Sequence, residues 1–309
     1  MIPFNVLSCY WMFCIVVFCS MFIIQYVPQM PSFLWNLISY GKVRNLQKAT
    51  EPRKPSSLDK WLDVPKQWFT HFYAVSAVCN GFLFFKLLQV LFFNGQMPGW
   101  YMDQLRFLTD YPLQIPNASH LSVVITIALL FIQGTRRLYE CLFVSSYSKS
   151  TMHVAHYILG ILLYSLIGMT IFAEGPDLQQ PAPFDNVWQL GEQLQWFNVV
   201  GVGMFFWATY HHHVAHKIFA GLRKGDKDRS HKIPRGDWFE LVSCPHYLAE
   251  ILVYVAIVTT LGFGHTMSYL LFGFTASNQL FAGYSVHLWY RDNFPNYPKG
   301  RKAVIPWLI

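Results

Sequence analysis

Seven long apolar runs, over residues 6–26, 72–93, 121–144, 153–172, 196–210, 247–262 and 267–290, dominate this chain and leave few ways to fold it. Each is roughly 15–25 residues long, about what a helix needs to cross ~30 Å of hydrocarbon. With 53% hydrophobic and 13% charged residues, the chain carries more apolar surface than a soluble fold of 309 residues needs to bury. The expected fold is therefore an all-α integral membrane protein, with about seven transmembrane helices in one bundle. The first run lacks a basic flank and a small-x-small cleavage site, so it reads as a retained helix.

The cations set an orientation. Lys42, Arg44, Lys48, Arg53, Lys54, Lys60 and Lys66 follow the first run, and Lys217, Arg223, Lys224, Lys227, Arg229, Lys232 and Arg235 follow the fifth. Lys299, Arg301 and Lys302 lie in the tail, whereas "EGPDLQQPAPFDNVWQLGEQ" after the fourth run has no Lys or Arg. The positive-inside rule then puts the odd-numbered connections and the C-terminus in the cytoplasm and the N-terminus on the other side. The net charge of +7 is thus mostly topological, and no nucleic-acid reader motif accompanies it. Cys9, Cys14, Cys19 and Cys79 fall within apolar runs and no CxxC occurs, which argues against a disulfide framework or a thiolate metal site. The sequon at Asn117 falls in a connection predicted to be lumenal.

No repeat or low-complexity tail divides the chain, so residues 1–309 read as a single membrane domain. Within it, 1–68 hold the first helix and a Pro-rich link, 69–210 the helices expected on the substrate side, and 211–309 the remaining loops and last two helices.

Ionisable groups inside apolar runs are costly and tend to mark sites. In "FIQGTRRLYECLF", Arg136 and Glu140 are i,i+4 and Arg137 and Glu140 are i,i+3, spacings that permit ion pairs along one helix. "KQWFTHFYAVSAVCNGF" brings His71 and Tyr73 as proton donors into a bundle interior, or as members of an aromatic belt. "HHHVAHK" places His212 and His216 one turn apart at the mouth of the fifth run, a spacing open to a metal, though without the zincin Glu or a third ligand. The cationic loop "RKGDKDRSHKIPRGDWFELV" suits phosphates or anionic lipid. Glu250 stands alone in the apolar "HYLAEILVY", one turn after His246, and Asn278 sits in the seventh run.

The segment "KIPRGDWFELVSCPHYLAEILVY" and the terminal "WYRDNFPNYPKGRKAVIPWLI" resemble the C-terminal part of the steroid 5α-reductase family. Its members are NADPH-dependent membrane enzymes that reduce a carbon–carbon double bond conjugated to a carbonyl. "RRLYECLFVSSYS" and "WFTHFYAVSAVCNGF" are similar to its polyprenal (polyprenol) reductase branch. The resemblance implies a bundle of the endoplasmic reticulum membrane acting on a long-chain polyprenoid. It implies NADPH contacts at Arg137, His212, His216, Arg223, His231, Lys232, His246, Glu250 and Tyr290, with Asn278 grouped among them, and a role for His287 as a histidine of that branch. The Glu and Tyr that contact the substrate carbonyl in the steroid enzymes match Phe72 and Gly134 here. The acid is then expected among His71, Tyr73 and Glu140. No G-x-G-x-x-G follows a strand, so no Rossmann domain is expected. A 3-oxo-Δ4 steroid or a trans-2-enoyl thioester as the substrate of the same fold, a transporter with an ion path through Glu250 and Arg137, and a methyltransferase with a similar helix pair are the competing readings.

Overall fold

A computed structural model describes residues 4–24, 62–145, 151–180, 184, 186–222 and 231–309. Seven long helices, α1 (Val6–Ile24), α2 (Phe69–Phe92), α4 (His120–Phe143), α5 (Val154–Phe172), α7 (Trp196–Gly221), α8 (Pro245–Thr260) and α9 (Thr266–Asn293), follow the seven apolar runs. Short helices α3 (Gly99–Leu108) and α6 (Val187–Gly191) lie in connections to which the apolar pattern assigns no element. Beyond the helices, β1 (Asp63–Pro65) and β2 (Thr151–His153) form one antiparallel ladder, Val64 opposite Met152.

Local chemistry sets the helix ends. Ser119 caps α4 by accepting from the Ser122 N–H, and Gln195 and Asn198 close a capping box on α7. Pro245 opens α8, and Gly262, at φ +86°, lets the chain leave it in the left-handed region.

α1, α2, α4 and α5 are long and apolar enough to cross a membrane by length and composition, and α8 is a shorter apolar helix. α7 and α9 carry histidines, serines, threonines and asparagines instead of a continuous apolar surface. Together the helices make a multi-pass membrane protein.

The helices alternate in direction. The starts of α2, α5 and α8 and the ends of α4, α7 and α9 share one end with the β ladder. At the opposite end, Asn198 Nδ2 donates to Ser122 Oγ at 2.9 Å and to the Thr260 carbonyl at 2.8 Å, tying α7 to α4 and α8. His265 Nδ1 lies 3.1 Å from Glu174 Oε2, which also accepts from the Met267 N–H at 2.9 Å. Trp11 Nε1 donates to Thr170 Oγ1 at 3.1 Å and fixes α1 on α5. α7 and α8 approach so closely at Gly201 that an added Cβ would lie 2.8 Å from the Thr260 nitrogen. Asn117 is exposed at this end, its N–H bonded to the Glu174 carbonyl at 2.8 Å.

One boundary differs from the sequence expectation. The fifth apolar run ends at residue 210, yet α7 continues to Gly221, so the histidine tract lies within a helix and not at its mouth. No Gly or Pro interrupts 211–220, and the histidines find partners on neighbouring elements, so nothing stops the helix sooner.

Candidate active site

At the β end, α2, α4, α7 and α8 bring their polar side chains into one connected cluster. Glu140 is fully buried and accepts from three donors: Arg136 and Arg137 on its own helix, and His213 Nδ1 across the gap at 2.7 Å. Two guanidinium groups and an imidazole N–H thus engage both oxygens of a carboxylate that is itself fully buried. Its neighbours are held by it.

Arg137 reaches α2, where Nη2 donates to the Tyr73 hydroxyl at 3.2 Å and the guanidinium lies 4.7 Å from the ring centroid. A guanidinium only donates, so the phenol is the acceptor in this bond and its own proton is left for another partner. Among the described residues, no acceptor takes it. Tyr164 of α5 stands against the Tyr73 ring, centroids 5.4 Å apart.

Arg136 reaches the other way. Its Nη2 donates to Gln133 Oε1 and to His212 Nδ1, both at 2.9 Å, and Gln133 Nε2 donates to Glu250 Oε2 at 3.1 Å. Because arginine cannot accept, His212 carries its proton on Nε2 and donates it to His216 Nε2, 3.3 Å away; His216 then carries its own proton on Nδ1. Arg136 thus fixes the tautomers of both histidines. His212 is 4% exposed and committed on both nitrogens. Glu250, at 13% side-chain exposure, keeps its second oxygen free of any hydrogen bond among the described residues. Arg136 Nε and Arg137 Nε are buried without acceptors. A cluster holding a free carboxylate oxygen and spare cationic donors can accept from one ligand group and stabilise charge on another.

The remaining sequence candidates divide between this cluster and its surroundings. His246 packs beside His216, ring centroids 5.8 Å apart. His71 faces outward, Nδ1 3.1 Å from the Tyr157 hydroxyl. Lys232 Nζ donates to the Leu222 carbonyl at 2.8 Å, and His231 packs edge-on against Trp289 at 4.8 Å. Tyr290 stacks on Tyr297 at 5.3 Å, and Asn278 is half-buried in α9. His287 bonds Ser243 Oγ at 2.7 Å and has no hydrogen bond to Tyr73, Glu140 or Glu250. Arg223 lies outside the described residues.

Phe72 and Gly134 are packing positions. Phe72 lies over Gly160, where an added Cβ would come within 2.7 Å of the ring; a Cβ at Gly134 would lie 2.6 Å from Ser76 Oγ and 3.0 Å from the Ala77 nitrogen. α2 and α4 touch there through backbone, which leaves no volume for a tyrosine. Gln133 was overlooked in the sequence, although an amide inside an apolar run was the available signal. Ser243 and Tyr297 carried no signal of their own, because their partners are 44 and 54 residues away.

The bundle with its buried Glu and arginine pair is a membrane-embedded one, and its similarities to known proteins make it a reductase. The family described as 3-oxo-5-alpha-steroid 4-dehydrogenase matches residues 179–309. The chain is 38% identical over 282 residues to a polyprenal reductase of Xenopus tropicalis, covering 90% of this chain and 89% of that one. It is 35% identical over 317 residues to the polyprenal reductase of Homo sapiens, covering 99% and 96%, and 35% identical over 280 residues to that of Danio rerio, covering 89% and 87%. The chain belongs to the steroid 5α-reductase family, in its polyprenal reductase branch.

Proposed function

We propose that this chain is an NADPH-dependent reductase of a long-chain polyprenoid, saturating its α-isoprene double bond: polyprenal to dolichal, or polyprenol to dolichol. It works in the endoplasmic reticulum membrane, N-terminus lumenal and C-terminus cytoplasmic, supplying dolichol for protein N-glycosylation. The polyprenal reductase activity for which its relatives are named supports the substrate class. The observation that carries the chemistry is the Tyr73 phenol, which accepts from Arg137 and has its own proton to give.

The residues fit a nicotinamide cofactor. Glu250 offers an open carboxylate oxygen to an amide or hydroxyl, His216 an Nδ1–H, and the buried guanidinium edges of Arg136 and Arg137 favour an anionic ligand. His246, Lys232 and Tyr290 complete the set of holding residues. When bound, NADPH supplies a hydride.

In a 2,3-enal, hydride addition at the β-carbon places charge on the carbonyl oxygen. Tyr73, polarised by Arg137, donates a hydrogen bond to that oxygen as the charge grows. Glu140 holds Arg137 in place and takes no part in proton transfer. An allylic alcohol has no such electron sink, which favours the aldehyde as the direct substrate. The isoprenoid tail stays among the lipid-facing helices and the polar head reaches the cluster.

The test is NADPH oxidation by the detergent-solubilised protein, offered separately a polyprenal, the matching polyprenol and a 3-oxo-Δ4 steroid, with products identified by mass. Turnover of the polyprenal to dolichal is expected. Turnover of the steroid alone overturns the substrate, and NADPH failing to bind at all returns the cluster to the transporter reading.

A further inference from the structure

The outward face of α7 changes character along its length. Trp196, Val199, Phe206 and Tyr210 are exposed, and the next positions at the same helical spacing are His213 and Lys217. At about 1.5 Å per residue, Trp196 to Lys217 covers roughly 30 Å, the thickness of the hydrocarbon layer. Lys217 therefore stands where the helix leaves the acyl chains and meets the headgroups.

The end of α4 lies alongside. Tyr139 and Phe143 are exposed one turn apart, their ring centroids at 5.1 Å, and the helix ends at Phe143. Between the two helix ends a groove of about 460 Å³ opens, lined by Tyr139, Phe143 and Val144 on one side and His213, Lys217 and Ala220 on the other. No carboxylate is among these lining residues, and among the described residues nothing pairs with Lys217. A lysine that merely snorkels needs no such groove beside it.

His213 joins the groove to the buried cluster. Its Nδ1 lies 2.7 Å from Glu140 Oε1, and among the described residues nothing hydrogen-bonds its Nε2. The carboxylate behind it is already neutralised by Arg136 and Arg137, so it does not repel an anion in the groove. An ammonium without a counter-ion, aromatic walls and an apolar stripe leading up to them are complementary to an amphiphile with a negative head and hydrocarbon tails.

We propose that the groove between α4 and α7 holds the phosphate headgroup of an anionic glycerophospholipid. Lys217 is its counter-ion, Tyr139 and Phe143 pack against its glycerol end, and its acyl chains follow the exposed stripe of α7. His213 meets the phosphate through Nε2 while Nδ1 stays on Glu140; a phosphate oxygen only accepts, so the ring then carries a proton on each nitrogen. This site needs neither the cofactor nor the polyprenoid of the reading above.

The test titrates the delipidated, detergent-solubilised full chain with phosphatidylinositol and with phosphatidylcholine of the same acyl chains, and counts bound lipid by native mass spectrometry. One phosphatidylinositol should bind about tenfold more tightly than phosphatidylcholine; Lys217→Glu should remove that preference and Lys217→Arg keep it. Lys299→Glu, the same change of charge in the exposed C-terminal tail, should leave the preference at its wild-type value. Lys217 is exposed and makes no described bond, so its variants are expected to fold. Equal binding of the two lipids, or a preference that Lys217→Glu leaves intact, overturns the site. Displacement of the bound lipid by inorganic phosphate would make this a site for a soluble anion, and displacement by a polyprenal would make it a waiting place for substrate. Either result overturns the phospholipid.

Discussion

The two ends of the bundle both bury polar groups, and they treat them differently. Around Asn198 and His265, at one end, the bonds close: the Asn198 amide donates to Ser122 and Thr260 and its oxygen accepts from Gln195, while His265 is engaged by Ile171, Ser268 and Glu174. At the β end, Glu250 keeps an open oxygen, Tyr73 an unspent proton, and Arg136 and Arg137 unbonded Nε groups. In a membrane protein, burying a polar group is tolerated for either of two reasons. A saturated knot holds helices in register, whereas an unsaturated cluster loses stability unless a ligand completes it.

Removing the anchor of the unsaturated end should break the contrast most strongly. Glu140→Ala leaves Arg136 and Arg137 buried without their carboxylate, and should cost about 3–5 kcal/mol of stability, read as a fall in the thermal midpoint of the detergent-solubilised protein. A midpoint near that of the wild type would show that water reaches the arginines and that the cluster is not a dry site.

Tyr73→Phe tests function at the same end with little change in packing. Turnover should fall about 10²-fold, close to 3 kcal/mol of barrier, with thermal stability and NADPH affinity kept. An unaltered rate would move the oxygen-stabilising role to another donor.

At the saturated end the effect should be smaller and of the opposite kind. Asn198→Ala removes a fully bonded amide and should destabilise the fold by about 1–3 kcal/mol, leaving kcat/KM of the folded fraction unchanged. A loss of kcat/KM with stability intact would erase the distinction between the two ends.

Much of the frame is legible in the sequence. Each apolar run became a helix with ends within a few residues of expectation, except in α7, because a chain in lipid must satisfy its backbone internally and a helix is the local way to do so. The Arg136, Arg137 and Glu140 contacts follow from i,i+3 and i,i+4 spacing alone. α7 ran past its apolar stretch because its histidines found partners on other helices, which no local pattern encodes.

Sequence by itself determined the seven long helices, the Arg136–Arg137–Glu140 group and the family, since length, hydropathy and motif spacing are properties of the chain read in order. Tertiary structure alone decided that Gly134 is a helix contact with no room for a phenol, that Arg136 sets the protons of His212 and His216, and that Ser243 joins His287 to Tyr297. Those facts depend on which donor meets which acceptor across helices far apart in the chain, and only packing brings them within 3 Å or so of each other.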